Sequence, residues 1–245
     1  MMSNMKILAV IPARYESSRF EGKPLKKIDN KPMIWWTYNA VKKSKLINEV
    51  IVATDDIRIV NECKKYNINV IMTSKEHKMM LERVQEVSCK IPADIYLSIA
   101  GDEPLIEASN IDLAIQEMID KNDEIVNLKT RIKNPVDVIN WTTMKVVTDK
   151  KNYVIYASRS PIPYPKSDIC INYYKHMGTY VMKKSALDFF VKTKRGKIEN
   201  IEDFDLLRFI ENGKKVKAIT VNSKTISVDT PKDLERVRNI IEKNL

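Results

Sequence analysis

Glycine, cysteine and histidine are scarce in this chain, with five, three and two among 245 residues. Three scattered cysteines are too few for a disulfide framework or a cysteine-ligated metal cluster, and they favour a reducing cytoplasm. No apolar run approaches the roughly 18 residues of a membrane span, which excludes an integral membrane protein. The first residues lack the charged, apolar and cleavage regions of a signal peptide. We therefore expect a cytoplasmic globular protein without membrane insertion.

The net charge of +10 is the feature that most favours a nucleic-acid partner. The lysines, however, are spread along the whole chain and do not form a stripe interleaved with aromatic residues. A uniform bias in composition explains this distribution better than a nucleic-acid interface does. We expect no nucleic-acid binding and prefer a polyanionic small substrate as the partner of this basic protein.

Short β-branched runs alternate with longer amphipathic segments in the first half of the chain. Strands are predicted at residues 6–11, 49–54, 69–73 and 94–99, and helices at residues 32–44, 56–66, 79–89 and 109–121. The first strand is apolar throughout, as in a strand that is buried on both faces. This alternation predicts a Rossmann-like α/β fold, with three α/β/α layers and a mostly parallel sheet.

The alternation stops after about residue 123. Strands are predicted at residues 124–132, 144–148 and 179–183 without helices between them, followed by helices at 185–192 and 202–212, a strand at 216–221 and a helix at 231–243. Thr230 and Pro231 provide the N-cap and first-turn proline of the last helix. We therefore expect a single domain over residues 1–245 with an antiparallel insertion at about 124–183.

Three predicted loops carry charged residues at the ligand-binding edge of such a sheet. The loop at residues 12–24 contains Arg14, Arg19 and Lys23, which suit a triphosphate, although a solvated basic loop is an equal alternative. Asp102 follows the fourth strand and suits Mg²⁺, or belongs to a simple Gly-Asp turn. Asp229 could share that Mg²⁺, or merely support the N-terminus of the last helix.

Other kinds of active site have little support in the sequence. The only histidines, His77 and His176, have no further histidine or cysteine at zinc-ligand spacing. A Gly-x-Ser-x-Gly nucleophile motif, a Walker A loop and a dinucleotide-binding glycine motif are all lacking. We therefore expect neither a zinc site nor a serine or cysteine nucleophile.

Nine segments, in their order, resemble the cytidylyltransferases that activate acidic ketosugars, above all the CMP-Kdo synthetase (3-deoxy-manno-octulosonate cytidylyltransferase) family. They are IPARYESSRFEGKPL at 11–25, KPM at 31–33, IVATDD at 51–56, MTSKEH at 72–77, GDEP at 101–104, KVV at 145–147, SRSPIP at 158–163, KHMGTY at 175–180 and VDTPKDLERVR at 228–238. The resemblance covers nearly the whole chain. It implies a nucleotidyltransferase domain that transfers CMP from CTP to a sugar acid for surface polysaccharide synthesis.

The resemblance also implies a role for individual residues. Catalysis would depend on Arg14, Lys23, Asp102 and Asp229, the last two as ligands of a Mg²⁺ cofactor. The nucleotide would be bound by Ala13, Arg14, Ser17, Arg19, Lys23, Thr73, Ser74 and His77. The sugar acid would be bound by Arg159, His176, Tyr180, Asp205 and Arg208. The family further implies a homodimer with the antiparallel insertion at its interface.

The chain departs from the family pattern at three places. Met79-Met80-Leu81 replaces a small polar segment beside the nucleotide, and Ala100 replaces a glutamine. Near the sugar, Asp205-Leu206-Leu207-Arg208 has a shortened acid and has lost an amide. A site that has lost such groups disfavours a polyol sugar. We therefore expect a modified sugar, less hydroxylated or with an amino or apolar substituent, and we leave the base specificity open.

Two other functions stay open on the sequence alone. A sugar-1-phosphate nucleotidyltransferase would use another nucleoside triphosphate, although such enzymes usually have a glycine-rich first loop. A non-catalytic nucleotide- or sugar-binding protein would fit the Met-Met-Leu replacement, but it has less need for both Asp102 and Asp229.

Overall fold

The computed structural model describes residues 5–16, 20–167 and 171–243. Its elements begin with β1 (Ile7–Ala13), β2 (Lys27–Ile28), β3 (Lys31–Pro32), α1 (Met33–Val41), β4 (Glu49–Thr54), α2 (Ile57–Lys65), β5 (Val70–Met72), α3 (Met80–Lys90), β6 (Ile95–Ile99) and α4 (Ala108–Lys121). They continue with β7 (Ile125–Arg131), α5 (Pro135–Ile139), β8 (Lys145–Thr148), β9 (Val154–Ser158), β10 (Tyr174–Met182), α6 (Lys184–Lys192), α7 (Lys197–Glu202), α8 (Leu206–Glu211), β11 (Lys217–Val221) and α9 (Pro231–Glu242). No helix among these described residues is both long and apolar enough to cross a membrane.

The chain divides into two compact units. The first comprises residues 1–112 and 223–245, and the second comprises residues 113–222. The second unit contains the predicted antiparallel region at 124–183 and extends beyond it on both sides. The expectation of a single domain over residues 1–245 stays a prediction.

The first unit is organised around a parallel sheet in the order β6-β1-β4-β5. Every residue of β1 is buried, as the continuous apolar run predicts. Because neighbouring parallel strands end at the same edge, the segments after β1, β5 and β6 emerge together there. Helix α9 returns to this unit and packs Leu234, Val237 and Ile241 against Ile28 and Met33.

The second unit contains mostly antiparallel strands. Strand β7 pairs antiparallel with β10 and parallel with β11, and β8 pairs antiparallel with β10 and β9. The predicted fold class, a parallel sheet followed by antiparallel strands, is confirmed. The sequence did not predict β9, the short helix α5 or the β2–β3 hairpin. The predicted helix at 202–212 exists as α8 but begins later than predicted, because Asp203 has a φ of 47° and separates α7 from α8.

Candidate active site

Asp102 and Asp229 meet at one lysine in the first unit. The Lys23 Nζ lies 2.5 Å from Asp102 Oδ2 and 3.6 Å from Asp229 Oδ1. A backbone hydrogen bond of 2.9 Å from the Val228 N–H to the Asp102 carbonyl joins the two acidic segments directly. The structure therefore brings together three of the four residues predicted to be catalytic.

The Asp102 loop follows β6 and is fixed by its glycine. A Cβ added to Gly101 would lie 3.0 Å from the Pro12 carbonyl oxygen, so a side chain would force the loop away from the end of β1. The Thr37 hydroxyl of α1 donates to the Gly101 carbonyl at 3.1 Å. These contacts hold Asp102 at the carboxyl edge of the sheet. The loop is packed against β1 and α1 and is not an isolated Gly-Asp turn.

The Asp229 side chain is not the cap of α9. The Thr230 hydroxyl accepts from the Asp233 N–H, and the Asp233 carboxylate accepts from the Thr230 N–H at 3.0 Å. The cap of α9 is thus made by Thr230 and Asp233, and the Asp229 carboxylate lies close to Lys23. The geometry thus favours the ligand interpretation of Asp229 over the helix-supporting one.

Lys23 begins a short 3-10 helix that follows Gly22. Gly22 has a φ of 64°, and its N–H donates to the Tyr15 carbonyl at 2.9 Å, which closes the first loop. Arg14 is exposed directly after β1, and its Nη1 lies 3.4 Å from the Lys78 carbonyl oxygen. Ala13 is the buried last residue of β1. The predicted ligands Ser17 and Arg19 lie outside the described residues.

The predicted pyrimidine pocket at Thr73, Ser74 and His77 is held by helix α3. Glu86 accepts from the Ser74 N–H at 2.8 Å and lies 2.6 Å from His77 Nε2. Burial alone would raise the pKa of Glu86, but hydrogen bonds from Lys90, Ser74 and His77 outweigh it and lower the pKa to about 2. Glu86 is therefore a carboxylate that fixes the His77 ring and the Ser74 backbone.

Arg83 is a residue of this region that the sequence did not predict. It is almost fully buried, and it donates to the Thr73 hydroxyl and, at 2.8 Å, to Asp55 Oδ2. These bonds link the segments after β4 and β5. The signal in the sequence was an arginine one helical turn before the apolar Val87 of α3, since a charge beside a buried position needs a partner.

A second group of predicted residues, His176, Tyr180 and Asp205, lies together in the second unit. The Asn127 amide donates to the Met177 and Thr179 carbonyls, so its oxygen faces His176 Nδ1 at 2.8 Å. Burial lowers the pKa of His176 to about 3. The neutral ring must then carry its proton on Nδ1, which leaves Nε2 as a hydrogen-bond acceptor.

Asp205 is the side chain of this group whose ionisation should be visible in the stability of the protein. The Tyr180 hydroxyl donates to Asp205 at 2.8 Å, but burial is the larger effect and raises the Asp205 pKa to about 6, from an ordinary 3.8. A carboxyl group whose pKa is higher in the folded than in the unfolded state stabilises the folded state at a pH below its unfolded pKa. This stabilisation is lost as the pH rises through the pKa of the folded state. Asp205→Asn should therefore be more stable than wild type above about pH 6 and equal to it below about pH 4. Thermal unfolding across this range measures the difference, and a difference independent of pH would contradict the shift.

Arg159 is half-buried and joins two loops of the second unit. Its guanidinium donates to the carbonyls of Glu202 at 2.7 Å, Trp141 at 3.1 Å and Asp203 at 3.3 Å. The Glu202 carboxylate accepts in turn from the Arg159 N–H and the Ser158 hydroxyl. Arg159 is thus held in place by backbone groups, and its role towards the sugar stays a prediction.

The prediction that Arg208 binds the substrate is not supported by its position. Its side chain is buried, and it donates to both carboxylate oxygens of Glu199, at 2.7 and 2.8 Å, and to the Phe190 carbonyl. Its guanidinium also stacks on the Phe190 ring. We therefore assign Arg208 to the core of the second unit.

The leucines among the bulky replacements lie in the interior of the protein. Leu81, Leu206 and Leu207 are at most 1% exposed, so they pack in the interior and offer no surface to a nucleotide or a sugar. Met79 and Met80 are half-buried. The buried leucines therefore offer no new contact to a ligand, and the modified sugar, which was expected from the lost amides and the shortened acid, stays a prediction.

The carboxylate pair suits a divalent cation chemically. Mg²⁺ prefers oxygen ligands and is usually held by one or two carboxylates together with substrate phosphates. No group of three or more histidine, cysteine or acidic residues that could hold a metal occurs within residues 5–16, 20–167 and 171–243. The Lys23 ammonium between Asp102 and Asp229 shows that this position favours positive charge. A parallel sheet edge with these groups defines a nucleotide-binding α/β protein.

Comparisons with known proteins give the class and the family. A family model described as cytidylyltransferase matches residues 8–216. A 3-deoxy-manno-octulosonate cytidylyltransferase from Fusobacterium nucleatum is 43% identical over 98% of both chains, and one from Geotalea daltonii is 39% identical over 95% of this chain and 97% of its own. The solved structure of a CMP:2-keto-3-deoxy-manno-octonic acid synthetase complexed with CTP matches 98% of this chain and 100% of its own, with a TM-score of 0.93 and 35% identity. The chain belongs to the cytidylyltransferases and, among them, to the 3-deoxy-manno-octulosonate cytidylyltransferase family.

Proposed function

We propose that this protein transfers CMP from CTP to the anomeric hydroxyl of 3-deoxy-manno-octulosonate (Kdo) and releases pyrophosphate. The observation that carries the proposal is the meeting of Asp102 and Asp229 at Lys23, on the sheet edge that also presents Arg14. The relatives named for this reaction match almost the whole chain. The free thiols of Cys63 and Cys89 fit a reducing cytoplasm as the place of the reaction.

Charge neutralisation is the first task of the protein in this reaction. The triphosphate and the sugar carboxylate are both anionic and repel each other, so cations must lower the potential before the sugar oxygen can attack the α-phosphorus. We assign this task to Lys23 and Arg14, which also face the negative charge that develops on the departing pyrophosphate. The protein acts by positioning and electrostatics, without a covalent intermediate.

Asp102 and Asp229 are the residues that we propose to hold Mg²⁺. When bound, Mg²⁺ neutralises phosphate oxygens and lowers the pKa of a hydroxyl that it contacts. The protein's own contribution is to keep the two carboxylates together, through the Val228–Asp102 backbone bond and the capping box of α9. This arrangement orients the nucleotide at a fixed point of the sheet edge.

The second unit supplies the residues that we assign to the sugar acid. His176 is neutral with Nε2 as an acceptor, so it can accept a hydrogen bond from a sugar hydroxyl but cannot pair with the carboxylate as a cation. The cation for the carboxylate would be Arg159. Tyr180 and Asp205 then act mainly on each other, because both are buried.

A coupled pyrophosphate-release assay tests the proposed function. We expect release from CTP with Kdo and Mg²⁺, and little with other nucleoside triphosphates or with a sugar 1-phosphate. Deoxy and amino analogues of Kdo should react more slowly than Kdo, because the relatives that match almost the whole chain are named for Kdo itself. A preference for a sugar 1-phosphate would contradict the proposal, and so would nucleotide binding without any pyrophosphate release.

A homodimer is the assembly that we propose. Helix α5 buries none of its residues, and Val136, Ile139 and Trp141 are 62–74% exposed. Further exposed apolar side chains of the second unit include Ile155 and Ile201. Clusters of this kind on a protein surface mark interaction sites. A second copy of the chain would cover them.

Replacing Ile139 with glutamate should dissociate this dimer, because the interface would have to bury a charge. Light scattering on a sizing column should give twice the chain mass of 28.4 kDa for wild type and a single chain for Ile139→Glu. Ile57→Glu is the control, since Ile57 is 59% exposed in the first unit. A monomeric wild type, or equal effects of both changes, would contradict the proposed interface.

A further inference from the structure

Lys23 places a positive charge between the two carboxylates that we assign to the metal ion. Its ammonium lies 2.5 Å from Asp102 and 3.6 Å from Asp229, and its side chain is only 15% exposed. A divalent cation that bound both carboxylates would carry its charge close to this ammonium. Lys23 and a free metal ion therefore compete for the same pair of carboxylates.

The lysine is the component of this group that can move. The acidic segments are joined by the Val228–Asp102 backbone bond, and Asp229 precedes a capped helix. Lys23, in contrast, reaches the carboxylates through a four-carbon chain with several rotatable bonds. Its ammonium can turn towards another anion without any change in the backbone.

We infer that Lys23 keeps free divalent ions away from Asp102 and Asp229 until the phosphates of a nucleotide attract its ammonium. This inference rests on the proposed function, because it assumes that the triphosphate binds at the same edge. The protein would then select the metal–nucleotide complex over the metal alone. Lys23 thus has two functions. In the absence of nucleotide its ammonium lies between the two carboxylates, and when nucleotide is bound it contacts the phosphates.

Each function has a separate consequence when Lys23 is replaced. Loss of a phosphate ligand weakens the binding of CTP. Loss of the competing ammonium strengthens the binding of metal in the absence of CTP, because Lys23 no longer competes with the metal for Asp102 and Asp229. A lysine that bound only phosphate would show the first effect without the second.

The second effect is measured by titrating the protein with Mn²⁺ in the absence of nucleotide. Electron paramagnetic resonance reports the concentration of the free ion during the titration. We expect Lys23→Met to bind Mn²⁺ about tenfold more tightly than wild type. Lys23→Arg should stay near wild type because it keeps a cation in place. Lys26→Met removes the same charge from an exposed neighbour of this segment and should change little, which controls for net charge.

Thermal unfolding provides a second readout. Mn²⁺ should raise the Tm of Lys23→Met more than that of wild type, and this gain should disappear in Lys23→Met/Asp229→Asn. A Lys23→Met protein that folds only with Mn²⁺ would support the inference. Unchanged Mn²⁺ affinity in a folded variant, or failure to fold even with Mn²⁺, would overturn it. These measurements involve no CMP transfer, so the pyrophosphate-release assay on wild type tests the proposed function separately.

Discussion

Asp102→Asn should lower the kcat of CMP transfer by about 10²- to 10³-fold, and Asp229→Asn should do the same. Each change keeps the shape of the side chain and removes the negative charge that we assign to the Mg²⁺ ligand. The fold should persist, because Asp102 bonds to Val228 through its backbone carbonyl and the α9 cap is made by Thr230 and Asp233. Steady-state pyrophosphate release at saturating CTP and sugar measures the effect.

Asp29→Asn provides the matched control for this experiment. Asp29 is exposed in the same unit, in a turn with a φ of 42°, a conformation that asparagine tolerates. Its replacement makes the same change in charge away from the carboxylate pair and should leave kcat within about twofold. Retention of full activity by either Asp102→Asn or Asp229→Asn would refute the assignment of that carboxylate.

Glu199→Leu should lower the free energy of unfolding by about 3–5 kcal/mol. Glu199 is completely buried and accepts two hydrogen bonds from Arg208, so its removal leaves the Arg208 guanidinium in the core without its carboxylate. The Phe190 carbonyl and ring remain as partners of Arg208 but do not supply a negative charge. Urea unfolding of wild type and variant gives the difference.

The double variant Glu199→Leu/Arg208→Met tests the cause of this loss. It removes both charges and replaces them with apolar groups, so much of the lost stability should return. An additive loss in the double variant would show that the pair does not act as a unit. A loss below about 1 kcal/mol in Glu199→Leu would contradict the buried ion pair altogether.

Residues in the parallel part of the chain could be predicted from sequence because local patterns determine them. The apolar run of β1 and the Thr230-Pro231 start of α9 can be recognised without knowledge of distant contacts. The place of Asp102 followed from one further rule, that ligands bind beyond the carboxyl ends of the strands. Asp229 does not directly follow a strand, so its approach to Asp102 could not be derived from that rule. Lys23 was expected at the carboxyl edge of the sheet, but its position between the two carboxylates requires Asp102 and Asp229 to be close together. The long-range bond from the Val228 N–H to the Asp102 carbonyl joins their segments, and no local pattern encodes it.

The errors concern residues whose role depends on burial. Arg208 resembled a substrate ligand by its place in a motif, and only the packing of α8 shows that Glu199 takes up its charge. Leu81 and Leu206 resembled altered ligand contacts for the same reason. Arg83 was missed because its two partners, Thr73 and Asp55, follow two different strands, and the sequence alone does not show that both lie beside α3. A motif gives the type of a residue, but not the direction in which its side chain points.

The return of the C-terminal segment to the first unit has a consequence for synthesis of the protein on the ribosome. Residues 1–112 appear early, whereas Asp229 emerges only after the entire second unit has been translated. A nascent chain can therefore form the Lys23–Asp102 contact long before the second carboxylate exists. Translation that stops within the second unit would leave a polypeptide with half of the acidic pair that we assign to Mg²⁺, and we expect such incomplete products not to consume CTP.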